Sequence, residues 1–455
     1  MIFKDDVAMT TTKKAKALVA SLLAVSVTAC AGGLFGGGED KKDTPTLGER
    51  KPVLSRIDQA AQVDPALAGV SVVLPPARTN TEWTQAGGNA SKSNGHLTLA
   101  ASPQRVWTAQ IAGSTNRKRL GAAPVVGNNT LFSVDTDGTV NAFDAQTGAR
   151  RWQTRMDVPS DIRQAAYGGG VAFSEGKVYA TNGVGQVAAM NAANGEILWT
   201  TTPAGPLRDA PTVAFNLVFV MSQDNRIFAL DAASGDIAWQ ESGSSAQAGV
   251  FGVASPAAGQ GTIIAGYSSG ELTAYRYENG RVLWSDALAL TSISTEVGSL
   301  TDIDADPIID QGRVYALGQG GRMAAYELVT GQRIWELSLA GISTPAIAGE
   351  WIFTLTDDAR MLAIARSTGK VRWITQLARY RDEKDKKGPI FWTGPVLANG
   401  SLWVASSEGE IYQVSTGEGS ASLFQDVKEA VSVPPIVVNN TMYILDDSGT
   451  IHAFR

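Results

Sequence analysis

Few side chains in this protein are of a type that does chemistry. Its 455 residues include one cysteine, Cys30, and two histidines, His96 and His452. The cysteine has no second cysteine with which to form a disulfide, and neither histidine has a sequence-near partner for a catalytic triad or a zinc site. The residue types therefore argue against thiol, zinc and histidine-dependent catalysis.

Three aspartates are spaced like the first ligands of a calcium-binding loop. Asp302, Asp304 and Asp306 alternate with other residues, as the first ligands of an EF-hand do. Pro307 stands where that loop requires its tight-turn glycine, and Arg313 occupies the twelfth position, where a bidentate glutamate belongs. The sequence therefore excludes an EF-hand at this position.

The charge balance excludes a further class of function. Lys and Arg total 38 against 44 Asp and Glu, so the formal net charge is −6, and no face is visibly basic. Proteins that bind nucleic acid through its phosphates present a basic surface, so nucleic acid is not expected as a partner. Apolar residues make up 44% of the chain, which predicts a folded rather than a disordered protein.

The N-terminal residues have the pattern of a bacterial lipoprotein signal. Three lysines between residues 13 and 16 precede the apolar run 17–27, which is too short for a permanent membrane-spanning helix. The run leads through small residues to Cys30, as in a lipobox, in which the cysteine becomes the acylated first residue of the mature protein. We predict a signal peptide over residues 1–29 and lipidation of Cys30. The next residue is Ala31 rather than aspartate, which predicts sorting to the outer membrane.

Residues 30–80 are expected to form a flexible tether. Glycine pairs, a mixed run of charged residues and several prolines fill this stretch. A chain of about 50 residues has an end-to-end distance of roughly 40 Å, enough to hold a folded body clear of the lipid. The folded body is then predicted to comprise residues 81–455.

A repeated strand motif predicts the fold of that body. A turn residue precedes an alternating strand in which a small residue lies between two larger apolar ones, and the motif recurs about every 44 residues. The eight copies begin at Gly138, Gly185, Asn225, Gly270, Gly321, Ala359, Gly409 and Gly449. Helical repeats of similar length are disfavoured because the recurrent glycine turns would break the helices.

Each copy is the centre of a set of four short strands. A second strand lies about ten residues upstream, a shorter run usually opened by proline precedes it, and a tryptophan-bearing strand follows the first six copies. Four antiparallel strands per period are typical of a propeller blade. We therefore predict an all-β fold, an eight-bladed β-propeller. The last copy ends at Arg455, so residues 102–107 are expected to supply its outer strand and close the ring.

The recurrent tryptophans have a structural explanation. Each indole is expected to fill the wedge between adjacent blades rather than line a ligand site. The seventh copy lacks this tryptophan, and Phe424 is the expected substitute.

Eight blades with this tryptophan pattern resemble the quinoprotein dehydrogenases. That resemblance implies a central funnel that binds pyrroloquinoline quinone and calcium, with a catalytic aspartate and an adjacent pair of cysteines near the cofactor. The only cysteine here belongs to the lipobox. A periplasmic quinoprotein-like enzyme is therefore the alternative interpretation, and the favoured one includes no cofactor or metal.

A second resemblance covers nearly the whole chain. The lipobox, the tether, the eight blades and especially the segment 294–307 resemble the BamB family, the lipoprotein subunits of the outer-membrane β-barrel assembly (BAM) complex. The resemblance implies a non-enzymatic scaffold that faces the periplasm and is held at the outer membrane by its lipid. The implied partners are the periplasmic POTRA domains of BamA, the barrel-forming subunit. No small-molecule substrate is expected.

The same resemblance implicates two loops in partner binding. One matches the family motif at Leu207 and Arg208, with Gly205 where the motif has its first leucine, and the other carries Asp302 and Asp304. An arginine beside an exposed leucine offers a charged fork and an apolar anchor, a pairing common at interfaces. The alternative is that Arg208 pairs with one of the two aspartates inside the molecule and only shapes the loops.

Overall fold

The computed structural model of the protein describes residues 61–207, 209–244, 254–288 and 302–455. Within these ranges the strands form eight four-stranded antiparallel sheets and one two-stranded hairpin. The helical segments described are two 3-10 turns, Pro65–Leu67 and Arg163–Ala165. In the described part of the chain no helix is long and apolar enough to cross a membrane.

Strand β1 (Arg105–Gln110) precedes four blades that follow one another along the chain. Blade 1 consists of β2 (Val125–Gly127), β3 (Thr130–Val134), β4 (Thr139–Asp144) and β5 (Arg150–Arg155). Blade 2 consists of β6 (Val171–Ser174), β7 (Lys177–Thr181), β8 (Val187–Asn191) and β9 (Ile197–Thr201). Blade 3 consists of β10 (Thr212–Ala214), β11 (Leu217–Ser222), β12 (Arg226–Asp231) and β13 (Ile237–Ser242). Blade 4 consists of β14 (Ala257–Gly259), β15 (Thr262–Gly266), β16 (Glu271–Arg276) and β17 (Val282–Ala287).

The second half of the ring repeats this order with one insertion. Blade 5 consists of β18 (Ile308–Asp310), β19 (Arg313–Gly318), β20 (Arg322–Glu327) and β21 (Arg333–Ser338). Blade 6 consists of β22 (Ala346–Ala348), β23 (Trp351–Leu355), β24 (Arg360–Ala365) and β25 (Val371–Gln376). A hairpin of β26 (Tyr380–Asp382) and β27 (Lys387–Pro389) precedes blade 7, which consists of β28 (Trp392–Ala398), β29 (Ser401–Ser406), β30 (Glu410–Ser415) and β31 (Ala421–Asp426). Blade 8 consists of β32 (Ile436–Val438), β33 (Thr441–Leu445), β34 (Thr450–Phe454) and β1.

These sheets confirm the predicted all-β, eight-bladed propeller. The eight motif copies form the third strand of each blade. The inner strands are buried along their length, as in β3, because a neighbouring blade covers each face. The outer strands, such as β5, keep every second side chain exposed. Burial therefore alternates between successive residues in the outermost strand, whereas both faces of the inner strands are buried.

The tryptophans join neighbouring blades, as predicted. The Trp239 indole nitrogen of blade 3 donates to the Tyr277 carbonyl oxygen of blade 4 at 2.7 Å, and Trp152 makes the matching bond to Ala192 of blade 2 at 2.9 Å. A Cβ atom on Gly280 would lie 2.7 Å from the Trp239 ring, so only glycine fits there. The glycine turn of one blade thus packs directly against the tryptophan of the preceding blade.

Blade 7 uses phenylalanine for the same purpose. Phe424 packs edge-on against Trp403 of its own blade and against Phe454 of blade 8, with ring centroids 5.1 and 5.6 Å away. This confirms the expected substitution. Blade 8 receives its outer strand from β1, in which Gln110 pairs with Thr450 in antiparallel register. One blade therefore combines strands from two distant parts of the sequence.

Residues 83–97, which we call the central segment, run across the inner strands. Trp83 exchanges backbone hydrogen bonds with Val126 of blade 1, both at 2.8 Å. At the other end of the segment, the Leu97 amide donates to the Leu397 carbonyl oxygen of blade 7 at 3.1 Å. Between these two residues, the Ala90 carbonyl oxygen accepts from a blade 4 amide at 2.7 Å. The segment thus ties together inner strands of three separate blades.

Residues 61–80 also contact the blades. The Asp64 amide donates to the Val371 carbonyl oxygen of blade 6 at 2.8 Å, and the Arg78 amide donates to the His96 carbonyl oxygen at 3.0 Å. These contacts hold residues 61–80 against the propeller, so this part does not extend as a free tether. The predicted signal peptide, Cys30 and the rest of the tether lie outside the described residues.

Candidate functional site

A cavity of about 690 Å³, which we call the funnel, lies at the centre of the propeller, where connections from several blades line it. The central segment forms part of its wall, through side chains that include Trp83, Lys92 and Leu97. The residues that lead into the inner strands form much of the remaining wall. We call the ends of these inter-blade connections the funnel mouth. The volume lies within the range of protein cavities that bind ligands or partner side chains.

The structure brings the two predicted binding loops together at the funnel mouth. Ser255 joins them, since its hydroxyl donates to the Ala210 carbonyl oxygen at 3.0 Å and its amide donates to the Asp306 carboxylate at 2.8 Å. Asp209 and Asp304, one from each loop, both line the cavity. Two loops that are almost a hundred residues apart in the chain thus form one surface.

Leu207 does not have the position that we expected. Its side chain is fully buried in an apolar cluster that includes Tyr179 and Phe228, and its backbone bridges to Ser222. The prediction of an exposed apolar anchor at this residue is therefore wrong, because the blade core covers the side chain. Leu207 instead fixes the start of its loop. Arg208, the next residue, lies outside the described residues.

The two predicted aspartates have different environments. Asp302 is buried, and its carbonyl oxygen accepts from the Gln319 amide at 2.8 Å. Asp304 is partly exposed and lines the cavity. Burial, together with the negative charges of Asp302 and Asp357, raises the pKa of Asp304 to about 7. Of the two, Asp304 is placed to meet a cationic group of a partner.

A buried lysine, Lys92, lies next to both loops. Sequence reasoning did not find it. The Lys92 ammonium donates to the Ala86 carbonyl oxygen at 2.9 Å and to the Thr212 hydroxyl at 3.1 Å. Burial lowers the pKa of Lys92, while the nearby carboxylates of Asp306 and Asp209 oppose that change. Burial in turn raises the pKa of both aspartates. One lysine of the central segment therefore neutralises part of the charge of both loops.

Apolar side chains complete the rim. Phe391 is 67% exposed and Ile342 is 50% exposed, and both line the cavity. Large apolar side chains beside a carboxylate on a rigid scaffold are features of surfaces that bind proteins. No pattern distinguished these two residues in the sequence, because neither belongs to the repeated motif.

The described residues that line the cavity do not supply the ligands of a metal-dependent cofactor site. Among the described residues, no three His, Cys, Asp or Glu side chains lie together so as to hold a metal ion. The aspartates around Asp304 are spread over the loops, and the nearby charge of Lys92 acts on Asp209 and Asp306. The side chains present therefore do not fit a calcium-bound quinone of the kind used by quinoprotein dehydrogenases.

Comparison with known proteins identifies the family. A family model described as "Outer membrane protein assembly factor BamB" matches residues 93–165 and 136–375, which together span more than half of the chain. The chain belongs to the BamB family. A BamB relative from Yersinia pestis is 27% identical over 358 residues, covering 78% of this chain and 89% of the relative. The BamB of Escherichia coli K12 is 25% identical over 355 residues, covering 77% and 88%.

Solved structures show the same architecture in BamB and in enzymes. BamB from Moraxella catarrhalis superposes with a TM-score of 0.64 at 19% identity, covering 78% of this chain and 98% of that structure. The quinohemoprotein alcohol dehydrogenase from Comamonas testosteroni gives a TM-score of 0.65 at 13% identity, covering 83% and 81%. At such identities the likeness concerns the fold alone. The sequence match, and not the fold, assigns this chain to the BamB family rather than to the dehydrogenases.

Proposed function

We propose that the protein is a non-enzymatic scaffold of the outer-membrane β-barrel assembly complex and that its funnel mouth binds the periplasmic POTRA domains of BamA. The observation that supports this most is the bridge by Ser255, which joins the loop of Arg208 to the loop of Asp304. Relatives named outer membrane protein assembly factor BamB, which align over most of the chain, support the complex as its setting.

The side chains at the funnel mouth indicate which charged and apolar groups the partner presents. Asp304 pairs with a lysine or arginine of the partner, and Arg208 pairs with a carboxylate, in a bidentate way where the geometry allows. Ile342 and Phe391 add apolar contacts beside these charges. Since the loops are fixed to a stiff ring, little conformational entropy is lost when the partner binds.

The anchor places this surface in the periplasm. We infer that Cys30 carries the lipid once the signal peptide is removed, and that the tether predicted from residue 30 onward joins the lipid to the propeller. Mass spectrometry of the mature N-terminus tests this part. An acylated cysteine at residue 30 is expected, and an unmodified terminus or one that begins elsewhere would contradict it.

An arginine reversal tests the proposed contact. In the Arg208→Glu variant, the amount of BamA that co-purifies with the protein from detergent-solubilised envelopes is expected to fall about tenfold or more, because an attractive charge becomes repulsive at the centre of the contact. The melting temperature is expected to stay within about 2 °C, because the proposal assigns Arg208 to the contact with the partner and not to the core.

The matched control makes the same arginine-to-glutamate change at a residue that does not line the cavity. Arg276→Glu reverses an exposed charge at the end of β16 and is expected to leave the BamA yield unchanged. An undiminished yield with Arg208→Glu, or an equal loss in both variants, would argue against the funnel mouth as the docking surface.

A further inference from the structure

The outer edge of blade 6 already binds an extended peptide segment, supplied by the chain itself. Val63 forms a parallel β-bridge with Val371 of β25, and the Asp64 amide donates to the Val371 carbonyl oxygen at 2.8 Å. Val371 is only 1% exposed as a result. An outermost strand of this propeller is thus able to accept one more strand on its free side.

Charged and apolar contacts determine the register of that segment. The Lys370 ammonium lies 2.8 Å from the Asp64 carboxylate. Ala61 is buried in the cluster that contains Val371. The Arg372 guanidinium donates to the Val70 carbonyl oxygen at 2.7 Å. The edge therefore binds a buried aliphatic residue, Ala61, and a carboxylate three residues later, Asp64, which lies opposite a lysine.

Three other blades present the same aliphatic position without a cover. Val371 lies two residues before the blade tryptophan, and the equivalent residues of blades 2, 3 and 4 are Ile197, Ile237 and Val282. These side chains are 39%, 47% and 49% exposed. In the described part of the chain, no strand pairs with the outer side of β9, β13 or β17.

The residue at the position of Lys370 distinguishes these three edges. It is Glu196 in blade 2 and Asp236 in blade 3, which would repel an acidic peptide, but it is Arg281 in blade 4. Arg281 is exposed and makes no ion pair with any described residue. Of the described outer strands that carry the tryptophan, β17 thus joins β25 in combining the cation with the aliphatic residue.

The backbones of the two edges also correspond. In blade 6, a bulge in the outer strand follows Val371 and precedes the tryptophan, which pairs with Ala363. In blade 4, a bulge follows Val282 and precedes the tryptophan, which pairs with Ala274. The residue inside the bulge of blade 4, Leu283, is 43% exposed and adds apolar surface. The edge of β17 therefore presents its backbone in the register that binds residues 61–64 in blade 6.

We propose that the outer edge of blade 4, at Arg281, Val282 and Leu283, binds an extended segment of another polypeptide in which an aliphatic residue stands three positions before aspartate or glutamate. The segment adds a fifth strand to the blade, its aliphatic side chain packs against Val282, and its carboxylate pairs with Arg281. This site lies on the outer wall and is independent of the funnel mouth.

A peptide copied from the chain is the probe. A fluorescent peptide with the sequence of residues 61–70 is titrated with the full protein, and binding is followed by fluorescence anisotropy. Saturable binding with one peptide per protein is expected. Arg281→Glu is expected to weaken binding about fivefold or more, because it replaces an attraction by a repulsion. A peptide with lysine in place of Asp64 is expected to bind Arg281→Glu more tightly than it binds the unchanged protein.

A second variant tests whether a new peptide-binding site can be created. Asp236→Arg gives blade 3 the same pair of residues, with Ile237 as the aliphatic one, and is expected to raise the stoichiometry from one peptide to two. Arg117→Glu, an exposed reversal in another loop, is the control and is expected to leave the affinity unchanged.

Three results would overturn the proposal. They are equal peptide affinity of the unchanged protein and Arg281→Glu, a stoichiometry that Asp236→Arg leaves at one, and self-association of the full protein that Arg281→Glu abolishes in sedimentation velocity. Equal affinity would show that the peptide binds at blade 6, where it displaces residues 61–70 of the chain. The last would make a second copy of the chain, rather than another polypeptide, the occupant of the edge.

Discussion

Lys92→Met is expected to lower the free energy of unfolding by about 3–5 kcal/mol, because removal of one partner from a buried charge group leaves the others uncompensated. Lys92 is 2% exposed, and methionine keeps its length without its charge. The Asp209 and Asp306 carboxylates then lose their buried cation, and the Thr212 hydroxyl loses its donor. Denaturant-induced unfolding followed by tryptophan fluorescence measures the change.

The control and a second variant separate charge from packing. Lys118→Met removes a lysine whose ion pair with Asp137, at 2.7 Å, is partly solvent-exposed, and it is expected to change the free energy by less than about 1 kcal/mol. Lys92→Met combined with Asp306→Asn is expected to be more stable than the sum of the single changes predicts, since the two residues interact. Strict additivity would show that Lys92 acts through packing alone.

Asp304→Asn is expected to stabilise the protein by roughly 1–4 kcal/mol at pH 8 and to have little effect at pH 4. The folded state raises the pKa of Asp304 to about 7, so this state holds the proton more tightly than the unfolded chain does. The contribution of Asp304 to stability is therefore present below about pH 4 and is lost as the pH rises through about 7. Asparagine resembles the protonated form and has no such loss.

Unfolding curves recorded at several pH values between 4 and 8 measure this difference. Asp161→Asn, an exposed site, is the control and is expected to change stability by less than about 0.5 kcal/mol at any pH. Some dependence remains in Asp304→Asn, because burial also raises the pKa of Asp357, to about 6. A difference between Asp304→Asn and the unchanged protein that is constant over the whole range would contradict the assignment.

This stability cost bears on the function of the loop. A carboxylate that weakens the fold at neutral pH is not explained by folding, since a neutral side chain at the same position would serve folding better. Residues that reduce stability are typical of sites that carry function. Asp304 at the funnel mouth fits that description, whereas the fully buried Leu207 serves the core.

The blades were predictable from the sequence because their information is local and repeated. The strand that begins after Gly138 and its seven equivalents show period-two alternation, and each is bounded by a turn residue. Phe424, which replaces the missing tryptophan of the seventh blade, was also predictable, because it follows the repeated strand at a similar distance. Each of these signals depends on residues within one blade and its neighbour.

The contacts of residues 61–97 were not predictable in the same way. Lys92 contacts Thr212, 120 residues away, and Asp64 contacts Val371 through single bridges. A single bridge imposes no periodic pattern, so this stretch has the composition of a linker. The burial of Leu207 was missed for a related reason, because a motif that resembles a binding loop does not show which of its side chains faces the core.

Site-specific photocrosslinking in intact envelopes tests the docking proposal most directly. A photoreactive amino acid is placed at Gly205, which has open space for a side chain, and at Ile342 on the rim, so that neither Arg208 nor Asp304 is changed. Val329, an exposed residue of the turn between β20 and β21, is the control position. Adducts with the POTRA domains of BamA are expected from residues 205 and 342 and none from residue 329. Adducts from residue 329 alone, or none from the two funnel-mouth positions, would contradict it.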